Sequence, residues 1–253
     1  MLLKDLIEKN KITEDLLKNV NNKILHNKVR GISSNSKEIK KGYIFVAIKG
    51  KNFDGAEYIA EAEKLGAFLI IAEETCNKKV FSIKKGTARQ IYTLLLSSFY
   101  IKQPKQIIGV TGTNGKTSTV EFCRQLWALA GWKAASMGTL GTKTETAINK
   151  SVYKNKEENL TTFEPSDLYK KLNFLVEEKI SHLALEASSH GIDQYRLDGV
   201  NFSGAVFTNL SHDHLDYHGN TENYFSTKKR LFTKVLKNSS AISINIDDTY
   251  GKK

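Results

Sequence analysis

The run Gly109-Val-Thr-Gly-Thr-Asn-Gly-Lys-Thr-Ser118 joins an apolar strand pattern to an amphipathic helix pattern, and that junction constrains the fold more than any other stretch of the chain. Ile107, Ile108 and Val110 supply a buried strand, and from Thr117 onward Val120, Cys123, Leu126 and Trp127 recur near helical spacing. Glycines 112 and 115 let the backbone turn its N–H groups inward toward a phosphate, where the helix N-terminus adds partial positive charge. Gly112, Thr113, Asn114, Gly115, Lys116, Thr117 and Ser118 thus read as a phosphate cradle, with Lys116 reaching the β/γ-phosphates of ATP and the Thr117 hydroxyl a ligand for Mg²⁺. The strict spacing asks for glycine at 110, where Val110 stands, with Gly109 and Gly112 on either side. The competing reading is a glycine-rich turn with an incidental lysine; the flanking strand and helix favour nucleotide binding.

A length of 253 residues, 40% of them hydrophobic, suits one large domain or two smaller ones with true cores. The net charge of +11 comes from 38 basic against 27 acidic residues, but arginine occurs only at 30, 89, 124, 196 and 230. Lysines spread without aromatic interleaving do not make a nucleic-acid reader; they suit a solvated surface that favours small anions. Charged residues through the first twenty positions leave no secretory segment, and no apolar run approaches membrane-spanning length, so a cytoplasmic protein without membrane association is expected. Cys76 and Cys123 have no metal or redox spacing and read as ordinary thiols.

Residues 1–102 read as a small α/β domain: strand-like 43–48, helix-like 56–65, strand-like 67–72 and a helix across 87–100. Gln103-Pro104-Lys105 is a candidate linker. In 103–253, apolar runs at 106–110, 182–187, 204–208 and 241–246 alternate with helical patterns at 116–130, 165–178 and 221–237. That alternation predicts a doubly wound, mostly parallel sheet with its ligand site at the strand C-terminal ends. Glu186 to His190 and Asn209 to His218 follow two of those strands and should face the phosphate loop. The polar stretch 142–160, with Lys143, Lys150, Lys154 and Lys156, reads as a loop or excursion.

Five of the six histidines fall between 182 and 218, and His212-Asp-His-Leu-Asp-Tyr-His218 is dense in metal-ligand types. His212, His214 and Asp216, with a last histidine one position late, approach the pattern of metallo-β-lactamase-type hydrolases, so a metal-dependent hydrolase with a dinuclear zinc centre is one alternative. It leaves the phosphate loop unexplained.

Four ordered motifs together resemble the Mur ligase family in its MurE type: Thr111-Gly-Thr-Asn-Gly-Lys-Thr117, Glu186-Ala-Ser-Ser-His-Gly-Ile-Asp-Gln-Tyr-Arg196, Thr208-Asn-Leu-Ser-His-Asp-His-Leu-Asp-Tyr-His-Gly219 and Tyr224-Phe-Ser-Thr-Lys-Lys-Arg-Leu-Phe232. The run from Ser188 to Arg196 favours this type over another Mur ligase or a folylpolyglutamate synthetase. The resemblance implies an ATP-dependent ligase that adds a diamino acid, L-lysine or meso-diaminopimelate, to UDP-N-acetylmuramoyl-L-alanyl-D-glutamate through an acyl phosphate, in peptidoglycan synthesis, as a monomer.

Carried over by residue, the resemblance gives Lys116, Lys228 and His214 catalytic roles and makes Thr117, Glu186, His214 and Lys228 the magnesium site. Lys228 matches the family lysine that reacts with CO₂ to form a carbamate, turning a cation into an anion able to support the metal; read alone, it is a solvent lysine beside Lys229 and Arg230. Ser188, Gln194 and Arg196 match positions near the muramoyl-dipeptide, where an arginine suits a carboxylate. Thr161 and Thr162 match a threonine pair of the same pocket, followed by Phe163 where the family often has proline. In the first domain the segment from Ser34 to Gly50, followed by Phe53-Asp-Gly-Ala, resembles the uridine-binding segment, with Asn35-Ser36-Lys37 for the usual Asp-Ser-Arg. Ser36 is the uridine-side candidate, Asp54 a helix cap.

The resemblance runs the length of the chain, but the family continues into the rest of the central sheet and a third domain that selects the amino acid. The sequence is therefore expected to be an N-terminal portion with an incomplete central domain and an exposed apolar sheet edge. The alternative within this reading is a fragment that binds the UDP-muramoyl-dipeptide or ATP without catalysis.

Overall fold

The computed structural model describes residues 1–9, 22–50, 53–74, 80–144 and 160–253. Cys76, Lys150, Lys154 and Lys156 lie outside the described residues. The chain divides into two compact units, Met1–Ile101 and Lys102–Lys253.

The first unit carries a four-stranded sheet in the order β1 (Gly31–Ser33), β2 (Tyr43–Val46), β3 (Ala67–Glu73), β4 (Phe81–Ile83), every neighbouring pair parallel. Alternate residues of β2 and β3, Phe45 with Ile70 and Ala72, pack with Ile39, Ala47, Ala62 and Val80 into one apolar cluster. The expected helix at 56–65 opens as a 3₁₀ turn, Gly55–Tyr58, and becomes α-helical only over Ile59–Lys64. Asp54 caps that turn, its carboxylate accepting from the Ala56 N–H at 3.0 Å. The helix Ala88–Phe99 buries Ile91, Tyr92, Leu95 and Leu96, the i, i+4 stripe of an amphipathic helix.

The second unit is built on a six-stranded sheet in the order β10-β9-β5-β8-β6-β7. Its strands are β5 (Gln106–Thr111), β6 (Ala134–Gly138), β7 (Gly141–Thr144), β8 (His182–Glu186), β9 (Gly204–Phe207) and β10 (Ala241–Ile244). Only the β6–β7 pair is antiparallel; the rest are parallel, as the alternating pattern predicts. The polar stretch read as an excursion thus begins as an edge strand, β7. The chain leaves β5 for β6, returns to β8 between them, and crosses to β9 on the other flank of β5. The ends of β5, β8 and β9 therefore frame one crevice.

Local packing explains the departures from the strict loop spacing. Gly109 and Val110 belong to β5, not to the loop. Val110 is buried against Val120 and Ala184, and a Cβ on Gly109 would meet the Phe202 ring at 2.9 Å. On the helix Lys116–Leu129, Val120, Cys123 and Trp127 face the sheet, whereas Leu126, expected to join them, is 64% exposed together with Phe122 and Leu129. The helix expected over 221–237 is α-helical over Thr221–Arg230 and then widens to a π-turn over Leu231–Val235. β10 is exposed along its length, Ile242 and Ile244 included.

Candidate active site

The loop between Thr111 and Lys116 closes by cross-bracing from the end of β9. The Thr113 N–H donates to Asn209 O at 2.9 Å, the Asn114 N–H to Asn209 Oδ1 at 3.0 Å, and the Thr208 hydroxyl to Asn114 O at 2.7 Å. Gly112 must be glycine, because a Cβ there would sit 1.9 Å from Thr208 Oγ1. Gly115 takes φ +85° as it opens the Lys116–Leu129 helix, and no side chain caps that first turn. Uncapped N-terminal amides and the helix dipole point at the crevice, the arrangement that binds a phosphate.

Lys116 folds back over this loop, donating to Gly112 O at 3.0 Å and Thr113 O at 2.8 Å. Burial lowers its pKa, against the opposing pull of Glu186 and Asp213. Thr117 donates its hydroxyl to Glu186 Oε1 at 2.9 Å. Glu186, at the end of β8, is 1% exposed and also accepts from the Thr139 N–H at 2.9 Å and the Thr139 hydroxyl at 3.3 Å. A Cβ on Gly138 would meet the Glu186 carboxylate at 2.2 Å, so glycine at the end of β6 makes room for this acid. Lys116, Thr117, Thr139 and Glu186, with Ser118 and Thr161, line one open cleft beside the loop residues Thr113 to Gly115.

Lys228 lies on the same face of its helix as Tyr224, one turn earlier, and both are buried. Its ammonium donates to Gly112 O at 2.8 Å and lies 4.5 Å from the Tyr224 ring centroid. Burial, then the neighbouring Lys116 charge, lowers its pKa to about 7, with Asp213 opposing. The solvent-lysine reading therefore fails for Lys228 and holds for its neighbour Lys229, which is exposed.

The residues matched to the muramoyl-dipeptide form a second network in the same unit. Thr162 Oγ1 donates to Glu186 O at 2.9 Å and accepts from Ser188 N and Ser188 Oγ, each at 2.9 Å. Arg196 donates to Thr162 O at 2.7 Å and to Gln194 Oε1 at 2.8 Å, and pairs with Glu164 at 2.7 Å. Thr161 reaches Thr139 at 3.1 Å. In the first unit Ser36 is buried and donates to Glu61 Oε2 at 2.5 Å, while Asn35 caps the turn.

Of the four expected magnesium ligands, Thr117 and Glu186 are in contact, whereas the described contacts bring neither Lys228, which is bound to Gly112 O, nor His214 to that pair. His214 sits at φ +52°, half-exposed, 3.4 Å from Asp213 and edge-on to the His190 ring at 5.0 Å. Among the described residues, no group of three or more His, Cys, Asp or Glu side chains is disposed to hold a metal ion, so the 212–218 run lacks the clustered ligands of a dinuclear zinc centre. Asn209, expected to face the loop, does so, whereas sequence reasoning gave no role to Thr208, which stood in a quoted motif, or to Gly138 and Thr139, which end and follow a strand of small residues with little apolar signal.

The second unit thus places a glycine-rich strand-to-helix loop after a central strand, a buried acid at the end of the neighbouring strand and a buried lysine behind the loop. The Mur ligase middle domain model matches residues 110–253, and the model described as Mur ligase family, catalytic domain, matches residues 28–96. The chain belongs to the Mur ligase family. It is 40% identical over 225 residues to the UDP-N-acetylmuramoyl-L-alanyl-D-glutamate--2,6-diaminopimelate ligase of Brucella melitensis, covering 88% of this chain and 45% of that protein. With the protein of the same name from Aquifex aeolicus it shares 39% identity over 228 residues, 89% of this chain and 45% of the relative. The solved structure of another ligase of that name superposes with a TM-score of 0.77 at 27% identity, covering all of this chain and 48% of the other. The chain spans about half the length of the curated relatives it matches. Among the described residues no helix is long and apolar enough to cross a membrane.

Proposed function

We propose that this chain supplies the ATP-binding and UDP-muramoyl-dipeptide-binding part of a ligase that joins a diamino acid, 2,6-diaminopimelate by likeness to its named relatives, to UDP-N-acetylmuramoyl-L-alanyl-D-glutamate. The observation that carries the reading is the convergence of Thr117, Glu186, Lys116 and Lys228 on one phosphate loop.

In this reading the loop amides and Lys116 hold the ATP phosphates. Lys116 leaves Gly112 O and Thr113 O to do so, and the arriving negative charge offsets the burial that lowers its pKa. The oxygens of Thr117 and the buried Glu186 carboxylate fit a hard divalent cation, with His214 as a further candidate ligand. Bound there, Mg²⁺ would neutralise charge on the phosphate oxygens. Lys228 fits a carbamate because a pKa of about 7 leaves much of it as the free amine that adds to CO₂.

Arg196, held flat by Gln194 and Thr162, has a guanidinium suited to a substrate carboxylate, for which Glu164 is the present stand-in. Ser188 and the Thr161–Thr162 pair orient that substrate beside the loop. The γ-phosphoryl group passes to the substrate carboxylate with ADP as the leaving group, the neutral amine of the diamino acid attacks the acyl phosphate and gives one proton to solvent, and inorganic phosphate leaves. The uridine end is assigned to the first unit through Ser36.

The test is diaminopimelate- and UDP-muramoyl-dipeptide-dependent release of phosphate from ATP in the full-length protein. Loss of ligation in Lys116→Ala by at least a hundredfold is expected; full ligation by that variant overturns the reading.

A further inference from the structure

His218 closes the short helix Leu215–His218 and is 8% exposed, yet its Nε2 has no hydrogen-bond partner among the described residues. A buried imidazole nitrogen left unanswered is costly and calls for a partner. Its ring is 5.1 Å from the Tyr224 ring, 4.8 Å from Tyr217 and 5.8 Å from His190. Lys228 Nζ stands over the same Tyr224 ring at 4.5 Å, so the imidazole and the amine pack on one phenol, and the Lys228 charge acts on the imidazole. Burial lowers the His218 pKa, Asp193 opposes this, and the Lys228 charge lowers it further. Lys116 and Lys228 thus share one carbonyl oxygen, that of Gly112, and the buried His218 Nε2 beside Tyr224 has no hydrogen-bond partner among the described residues.

We propose that His218 is a positioning residue whose Nε2–H donates to the carboxylate formed when Lys228 adds CO₂, holding that carbamate in its buried site. This rests on the reading of Lys228 given above. The free Nζ attacks the CO₂ carbon, a C–N bond forms as one C–O π pair moves onto oxygen, and nitrogen gives one proton to solvent. Nothing is oxidised or reduced. The remaining Nζ–H keeps its donation to Gly112 O, the Lys116 ammonium faces an anion in place of a cation, and one new oxygen answers His218.

The test is ¹³C NMR of the full chain in ¹³C-bicarbonate, with Lys228→Ala assigning the carbamate resonance. Wild type is expected to show it, His218→Phe to lose at least fivefold of its intensity, and His218→Gln, which restores an N–H donor, to recover at least half. His218→Phe at wild-type intensity overturns the role of His218 and leaves the carbamate intact. A wild-type spectrum identical to that of Lys228→Ala overturns the carbamate itself and His218's role with it. Should His218→Phe fail to fold by near-UV circular dichroism, His218→Asn, whose amide falls short of the Nε2 position, takes its place with the same expected loss.

Discussion

Lys116 and Lys228 donate to a single acceptor, the carbonyl oxygen of Gly112, at 3.0 and 2.8 Å. Two ammonium groups on one oxygen repel, and the more buried of them yields. Burial and then the Lys116 charge bring Lys228 down to about 7, while burial lowers Lys116 too, against the opposing pull of Glu186 and Asp213. The Gly112 carbonyl thus ties two lysines, one from each of two helices, to the same loop.

The Lys228 shift makes stability depend on pH. The unfolded lysine holds its proton up to pH 10.5 and the folded one only to about 7. Between those values the unfolded state binds more protons, so stability is full above pH 10.5, is lost as pH falls through the window, and is flat below about 7. With each pKa unit near 1.4 kcal/mol, Lys228→Met should be more stable than wild type at neutral pH, the gap narrowing by a few kcal/mol toward pH 10. Denaturant unfolding in CO₂-free buffer across that range checks this; a constant gap refutes it.

Gly112→Ala forces a Cβ onto the Thr208 hydroxyl. The loop must shift or the strand end must give, at a cost of about 1–3 kcal/mol. Calorimetric titration with ATP is expected to show at least a tenfold weaker affinity.

Glu186→Gln keeps an acceptor for Thr117 and for the Thr139 N–H but removes the charge. The fold should survive with a loss of about 1–2 kcal/mol. ATP affinity with and without Mg²⁺ should then converge; an undiminished Mg²⁺ effect would place the metal elsewhere.

Arg230 ties the Lys228 helix to the segment before it, with bonds to both Asp198 carboxylate oxygens at 2.9 and 2.6 Å, to Ile192 O at 3.0 Å, and with its guanidinium over the Tyr195 ring at 4.4 Å. Asp198→Asn is expected to cost about 2–3 kcal/mol, below the range for a fully buried pair because a fifth of the Arg230 side chain is exposed. A double-mutant cycle with Arg230→Met should return a coupling of at least about 1 kcal/mol.

The outer strand β10 leaves Ile242, Ile244 and the following Ile246 exposed on an edge. Ile244→Lys should reduce concentration-dependent light scattering without lowering the melting temperature.

The parallel core and the loop were legible because β5, β8, β9 and β10 are apolar runs and the loop glycines fall between a strand and a helix. β6 was not, since Ala134-Ala-Ser-Met-Gly138 has small side chains that fit tight sheet packing and carry no hydrophobic signal. β1 and β4, each three residues long, are too short to show a period. Gly109 looked like a loop glycine, but its lack of a side chain answers Phe202, which is distant in sequence. Lys228 sits beside Lys229 and Arg230, so composition made it a surface residue; the i, i+4 spacing from Tyr224 is the local cue to its burial.

The most direct test of the central claim is calorimetric titration of the chain with ATP and Mg²⁺, for wild type and Lys116→Ala. Wild type is expected to show one saturable site and the variant at least a thirtyfold weaker one, with circular dichroism unchanged. Equal affinity in the two proteins, or no heat in either, would contradict the assignment of the Gly112–Ser118 loop as the phosphate site.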